Sequence, residues 1–296
     1  MAIGKVYRDR IKALKHSFEV LSPGREALLK LVDEVELAES VYNSNAIENS
    51  TLTLQETEKI LLEMTLSRSV SLREVFEAKN LARVMEYLDK RIAKQKLDKE
   101  FILLLHQMLL GNINEDFAGR FRKEGEYVRV GAYIAPPPEF VERYIDDLVM
   151  EFRTDNEVYF LDTLTRFHLE FEHIHPFCDG NGRIGRVLIN LQLKQYGFPP
   201  LIIRNKEKQN YYKGLQVYDA SSNTKFMEKI VALALLESLH KRVAYLEGAK
   251  IIPLGEYAKK NGVNLPTLNN AAKRQTIPAF REKGVWKISQ SAAPSA

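Results

Sequence analysis

Residues 159–197 read YFLDTLTRFHLEFEHIHPFCDGNGRIGRVLINLQLKQYG, and whether the part before the glycines is strand or helix decides the fold. Gly180, Gly182 and Gly185 spell GxGxxG, FHLEF at 167–171 alternates, PLIIR at 200–204 has strand composition, and Glu207 stands near the position of a ribose-binding acid. Together these imitate a dinucleotide-binding βαβ unit. Extending the window back to Tyr159 reverses the reading. Phe160, Leu161, Leu164, Phe167, His168 and Phe171 form a helical stripe that outweighs three alternating residues. A doubly wound sheet also needs repeated strand-helix units, and the rest of the chain supplies none. The stretch is helix, loop, helix.

Helical periodicity extends outward in both directions. Residues 25–43 carry Leu28, Leu31, Val32, Val35 and Leu37 at the spacings of an amphipathic helix. Thr53 and Glu56 form a capping box that starts a helix through Met64. Residues 73–93, 99–110 and 139–152 continue the pattern, and Lys225 to Glu247 reads as a long amphipathic helix ended by Gly248. The clearest β signal is EYVRVGAYI at 126–134, a short hairpin stopped by three prolines at 136–138. The expected fold is all-α with a β-hairpin flap.

At 296 residues the chain has room for a large domain and a smaller one. Hydrophobic residues make up 45% and charged residues 28%, an ordinary balance for a soluble globular protein. Cys178 is the one cysteine, which excludes an intrachain disulfide and a thiolate-rich zinc site. The early charges of MAIGKVYRDR and the lack of a long apolar run predict a cytoplasmic protein without a membrane segment. Lys250 to Lys287 holds eight lysines and arginines against two glutamates, a net +6 that leaves about −2 for the remainder of a chain whose total is +4. Its two short helical patterns around Gly262, followed by Ile277, Pro278, Arg281, Gly284 and Trp286, resemble winged helix-turn-helix modules of the excisionase and MerR type. A helix bearing Asn269, Asn270, Lys273 and Arg274 makes DNA one candidate partner for residues 250–287. The alternative is a basic docking module that never meets DNA.

His168, His173 and His175 fall close together, but separations of five and seven residues do not share one helical face, and Pro176 breaks the helix. A zinc triad is therefore excluded. His168 fits a hydrogen-bonded core histidine and His173 a cation at a helix C-terminus. The loop itself has the parts of a phosphate cradle. Gly180 and Gly182 let backbone N–H groups converge, and a helix beginning near Asn181 aims its positive end at the same point. Arg183 and Arg186 add fork-shaped donors. Asp179 suits a phosphate carrying Mg²⁺, and His175 is a proton acceptor near neutral pH.

HPFCDGNGRIGR at 175–186 matches the signature HPFxDGNGRxxR of the Fic family at every specified position. Weaker resemblances cover roughly residues 40–220: GRFR at 119–122, the hairpin, FEHI before the motif and YYKGL at 211–215. The resemblance implies transfer of AMP from ATP to a Ser, Thr or Tyr hydroxyl of a target protein. It makes His175 the base, Asp179 the Mg²⁺ ligand, and Gly180, Asn181, Gly182 and Arg183 the anion hole. Arg186 would grip the γ-phosphate, Tyr211 would belong to the nucleotide site, and the flap near 127–133 would dock an extended target segment by strand addition. The implied division is an N-terminal region 1–95, a catalytic core 96–248 and a C-terminal module 249–296.

SNAIEN at 44–49 places Ser44 and Glu48 one helical turn apart, with Asn49 suited to a left-handed helix end. Glu48 then lies at the negative end of a helix dipole, where a carboxylate calls for a cation. The pattern resembles the S/TxxxE(G/N) inhibitory helix of one Fic class, whose glutamate plugs the motif's second arginine, here Arg186. It also implies removal of AMP, which that glutamate assists in some relatives. Two other readings remain open at this point. One is a transferase using another phosphate donor, including a Doc-like phosphotransferase, against which Gly182 and Arg183 argue. The other is a DNA-binding regulator whose body only senses nucleotide.

Overall fold

The computed structural model describes residues 4–63, 70–91, 96–131, 133–154 and 158–292. The helices are α1 (Lys5–Leu21), α2 (Glu26–Ile47), α3 (Leu54–Leu62), α4 (Leu72–Arg91), α5 (Lys99–Leu110) and α6 (Pro138–Thr154), then α7 (Phe160–Ile174), α8 (Asn181–Gln195), α9 (Lys208–Ser221), α10 (Lys225–Leu246), α11 (Leu254–Asn261) and α12 (Leu265–Lys273). The strands are β1 (Arg129–Val130), β2 (Tyr133–Ile134), β3 (Ile251–Pro253), β4 (Ala279–Glu282) and β5 (Val285–Ser289). The expected mostly helical fold with a hairpin flap is what the chain adopts. No strand forms at 167–171 or 200–204, so the βαβ imitation has no counterpart in space.

Local chemistry sets the helix starts. The Thr53 hydroxyl accepts the Glu56 N–H at 3.2 Å while the Glu56 carboxylate accepts the Thr53 N–H at 2.8 Å, completing the capping box. Asp98 caps α5 and Asn264 caps α12 from one side only, their side chains accepting the Phe101 and Thr267 N–H groups.

The α7–α8 pair is the centre of the molecule. Phe167, Phe171, Ile184 and Val187 face one apolar cluster with α4, α5 and α6, while Leu161, Leu164, Ile189 and Leu193 face a second one built with α1, α9 and α10. Burial on both faces holds the intervening loop rigidly. The first cluster runs from Val41 through Leu81 to Phe101 and Leu191, so the expected division at residue 95 does not separate two cores. Residues 251–292 do have an apolar cluster of their own, around Leu254, Tyr257, Leu268 and Ile288, with an antiparallel sheet in the order β3-β5-β4 beside α11 and α12.

Two helices bury faces that apolar periodicity did not select. In α2, Leu31 and Val35 are 56% and 58% exposed, whereas Glu36 and Glu39 are buried. In α10, Glu237, Lys241 and Arg242 are buried, so this helix is enclosed rather than amphipathic. Charge pairing explains both. Arg242 meets Asp33 at 2.5 Å and Glu36 at 2.6 Å, and Lys241 meets Glu36 at 2.9 Å. Arg204 pairs with Glu39 and Glu237, and Arg281 of β4 meets Glu237 at 2.6 Å. Removing one member of such a cluster strands its partners in a poorly hydrated place. Glu237→Ala should therefore lower the unfolding free energy by about 3–5 kcal/mol, read by urea denaturation; a loss below about 1 kcal/mol would show that water reaches the cluster.

Candidate active site

His175 ends α7 in the left-handed conformation, φ 50°, and Gly180 starts α8 in the same region, φ 85°. These two turns compress the loop 175–180 between two helix ends. The Asn181 side chain closes it, accepting the Phe177 N–H at 2.9 Å and donating to the Phe177 carbonyl at 2.8 Å. Asn181 thus spends its side chain on the loop, which leaves its backbone N–H as its open donor at the helix start. Ile184 N–H donates the first helical bond, to Gly180 C=O. The amides of Asn181, Gly182 and Arg183 precede it as the open donors of the helix end.

Two residues that sequence reasoning did not assign hold this loop from outside. The buried Arg122 guanidinium donates to the carbonyls of His175 at 2.8 Å, Ile174 at 3.2 Å and Pro136 at 2.8 Å, tying loop and flap together. His106 stacks on Phe177 with ring centroids 3.6 Å apart. Its Nδ1 accepts the Gly119 N–H at 3.1 Å, so its Nε2 carries the proton and donates to the Asp179 carbonyl at 3.0 Å. Burial pushes its pKa down to about 4, which keeps the ring neutral. GRFR hinted at Arg122; nothing in the apolar pattern of α5 distinguished His106 from a core residue.

The His175 Nδ1 lies 3.2 Å from the Glu172 carbonyl. An acceptor there places the ring proton on Nδ1 and leaves Nε2 with its lone pair. Burial lowers the His175 pKa to about 4, so the ring is a neutral proton acceptor at pH 7. Glu172 itself is buried, and burial raises its carboxyl to about 8 against the pull of Arg186.

Arg183 and Arg186 diverge instead of forming one fork. Each long side chain reaches an acid on a different helix. Arg183 meets Asp179 at 2.9 Å and Glu77 of α4 at 3.3 Å, while its buried Nε has no hydrogen-bond partner among the described residues. Asp179 also receives Arg73 of α4 at 2.5 Å, so both its oxygens rest on guanidinium groups. Arg186, buried, donates to the Ser44 hydroxyl at 3.0 Å, the Ser44 carbonyl at 2.8 Å and Glu48 Oε1 at 2.8 Å. Burial opposes its charge, but Glu48, Tyr211 and Glu172 more than offset this, and its pKa is raised.

Glu48 caps α2, Asn49 follows at φ 71°, and the carboxylate at this negative helix end has found its cation. It also lies over the start of α8. A Cβ added at Gly182 would come within 2.2 Å of Glu48 Oε1 and 3.0 Å of Arg186 Nη1, so the missing side chain is what admits the carboxylate. Tyr211 is 1% exposed, with its hydroxyl 2.8 Å from His168 Nε2 and 3.5 Å from Arg186 Nη1. It reaches the site through Arg186 and offers no surface of its own to a nucleotide. His173 bridges the flap to α9, with Tyr133 and Asp219 each at 2.8 Å.

Four histidines make the fold sensitive to acid. Burial lowers His106, His175 and His240 to about 4 and His168 to about 3, from an ordinary 6.5. Between those values and 6.5 the unfolded chain binds protons that the folded chain refuses, so stability falls as pH drops through that window. Glu172 acts oppositely, contributing stability below its ordinary 4.5 that is lost as pH rises towards 8. Glu228, raised by burial, acts in the same sense as Glu172, while Glu36, Glu126, Glu237 and Glu282 are held low and add to the loss on acidification, so with the four histidines the balance is a net loss. Urea midpoints at pH 7, 6 and 5 should decline in that order, and a constant midpoint would show that these rings are hydrated.

Residues 96–193 match the Fic/DOC family. Protein adenylyltransferase fic-1 of Caenorhabditis elegans is 31% identical over 216 residues, 71% of this chain and 40% of the worm protein. The chain thus spans well under two thirds of that relative's length. A Fic domain containing signaling protein from Bacteroides thetaiotaomicron superposes with a TM-score of 0.73 at 24% identity, covering 81% of this chain and 97% of the other. A Fic family protein from Desulfovibrio desulfuricans superposes over 100% of this chain and 99% of its own, with a TM-score of 0.71 at 22% identity. At such identities the superpositions establish the fold.

Proposed function

The chain carries a Fic/DOC family domain, and on that premise we propose that it is an autoinhibited protein adenylyltransferase, moving AMP from ATP to a Ser, Thr or Tyr hydroxyl of a target protein. The observation that carries the reading is the convergence of one imidazole lone pair, three open helix amides and a plugged arginine on the same loop. His175 Nε2 takes the proton of the target hydroxyl as its oxygen bonds to the α-phosphorus. The bond from that phosphorus to the β-bridging oxygen breaks, and diphosphate leaves. Most of the acceleration comes from position and charge. The amides of 181–183 face the phosphate oxygens, and Arg186 holds the γ-phosphate once Glu48 has left it.

The donor set suits Mg²⁺ arriving with the nucleotide. Asp179 is a single, 32% exposed carboxylate, and among the described residues no group of three His, Cys, Asp or Glu side chains could hold a metal alone. Mg²⁺ is commonly held by one or two carboxylates plus substrate phosphates. It would neutralise phosphate charge there, with Asp179 as its protein ligand. Arg73, 57% exposed, is the partner that must give way. Arg73→Ala should therefore lower the Mg²⁺ concentration for half-maximal activity by up to about fivefold, the scale of an exposed ion pair. An unchanged or raised requirement would show that Arg73 helps to hold the phosphates.

The flap supports target docking by strand addition: Ile134 of β2 is 66% exposed and Tyr127, shortly before β1, is 62% exposed. Among the described residues no helix is long and apolar enough to cross a membrane. The reading is tested with ATP labelled at either phosphate. A label from the α position on protein supports it, and a label from the γ position assigns phosphate transfer instead. A DNA partner for residues 250–287 is the weaker second reading, because Lys273 and Arg274 line a cavity against the helical body.

A further inference from the structure

A cavity of about 690 Å³ separates α1, the 202–210 segment and α10 from the end of α12 and the strands β4 and β5. Neither Glu48 nor any residue of the 175–186 loop lines it, so it is distinct from the candidate active site. Six arginines and lysines line it against two glutamates, a net +4. Arg204 and Arg281 are committed to the buried Glu237. Arg10, Lys229, Lys273 and Arg274 form no ion pair among the described residues, and Glu207 is the remaining acid. Four cations brought from three helices to one concavity repel each other unless an anion joins them.

We propose that this cavity binds a nucleoside polyphosphate, its phosphates among Lys229, Lys273, Arg274 and Arg10 and its base between the apolar side chains of Phe226 and Ile230 on α10 and Trp286 on β5. The volume lies within the range of small-molecule sites, roughly 300–1,000 Å³. A DNA duplex is disfavoured because Lys273 and Arg274 share the concavity with Lys229 of the body, where a duplex has no room. Charge and apolar side chains together in one cavity select a nucleotide over a bare phosphate chain. The proposal stands independently of the transferase reading.

Trp286 is the single tryptophan of the chain, so its fluorescence reports on this cavity directly. The full chain is titrated with ATP, with inorganic triphosphate and with a short DNA duplex. ATP is expected to change the emission saturably, with inorganic triphosphate binding about tenfold or more weakly. Lys229→Glu combined with Arg274→Glu should weaken ATP binding by at least about tenfold while leaving the unliganded emission spectrum, and hence the local fold, unchanged. Arg186→Ala, which disables the loop site, should leave the Trp286 response intact. The proposal is overturned if ATP gives no saturable change, if the charge-reversed variant responds like the wild type, or if Arg186→Ala removes the response. Tighter binding of the duplex than of ATP would overturn it in favour of DNA, and equal binding of triphosphate and ATP would remove the nucleoside from the assignment.

Discussion

Glu48→Gly should switch on labelling of protein from ATP carrying its label at the α-phosphate, by about 10- to 100-fold over the wild type. The magnitude follows from what the carboxylate does: it accepts from Arg186 Nη2 at 2.8 Å at the start of α8. A hydrogen bond to a charged group contributes about 1.5–3 kcal/mol, and each 1.4 kcal/mol is a factor of ten in the fraction of nucleotide held productively. Ser44 still receives two donors from Arg186 in the variant, so the guanidinium stays oriented and only its occupancy changes. A smaller but real gain is expected for Glu48→Gln, which keeps the size and loses the charge. Equal labelling by wild type and both variants would show that the Glu48–Arg186 pair is a structural contact with no hold on catalysis.

In the Glu48→Gly background, replacing His175 should remove about 10²–10⁴-fold of the rate, the usual scale of a general base. Alanine alone would leave a doubt, because His175 sits at φ 50° and alanine pays a steric cost there. His175→Asn is the matching control, since asparagine tolerates that conformation and supplies no base. Both variants should be equally inactive, with similar melting temperatures. The pH profile offers a second check. A base works deprotonated, so kcat/KM, which reports the free protein, should stay level from neutral pH down and fall only as pH approaches the His175 value of about 4. Bound triphosphate favours the protonated ring, so the acid limb of kcat should lie higher than that of kcat/KM. An acid limb in kcat/KM at or above pH 7, or an active asparagine variant, would assign the proton to another group.

Much of the site was legible because its chemistry is local. The glycines at 180 and 182, the loop between two helices and the helix end at Glu48 are features of neighbouring residues, and sequence periods report neighbours faithfully. The parts that went unread act across long separations. Arg122 reaches carbonyls 52 and 53 positions away, His106 reaches Asp179 across 73, and Arg73 reaches it across 106. Each looks like an ordinary polar residue of its own segment. Tyr211 shows the converse: its motif suggested a nucleotide contact, but its hydroxyl is spent on His168 and Arg186.

By itself the sequence determined an all-helical body, a hairpin flap, and a loop whose glycines join a helix end to a helix start beside an imidazole, because backbone geometry and apolar period depend on residues a few positions apart. Only the tertiary structure decided which faces of α2 and α10 are buried, since buried charges read as surface until their partners from distant segments are known. It alone set Arg186 against Glu48, parted Arg183 from Arg186, and assembled around one cavity four cations with no ion pair among the described residues. Coulomb attraction and desolvation depend on distance in space, and the chain order does not contain that distance.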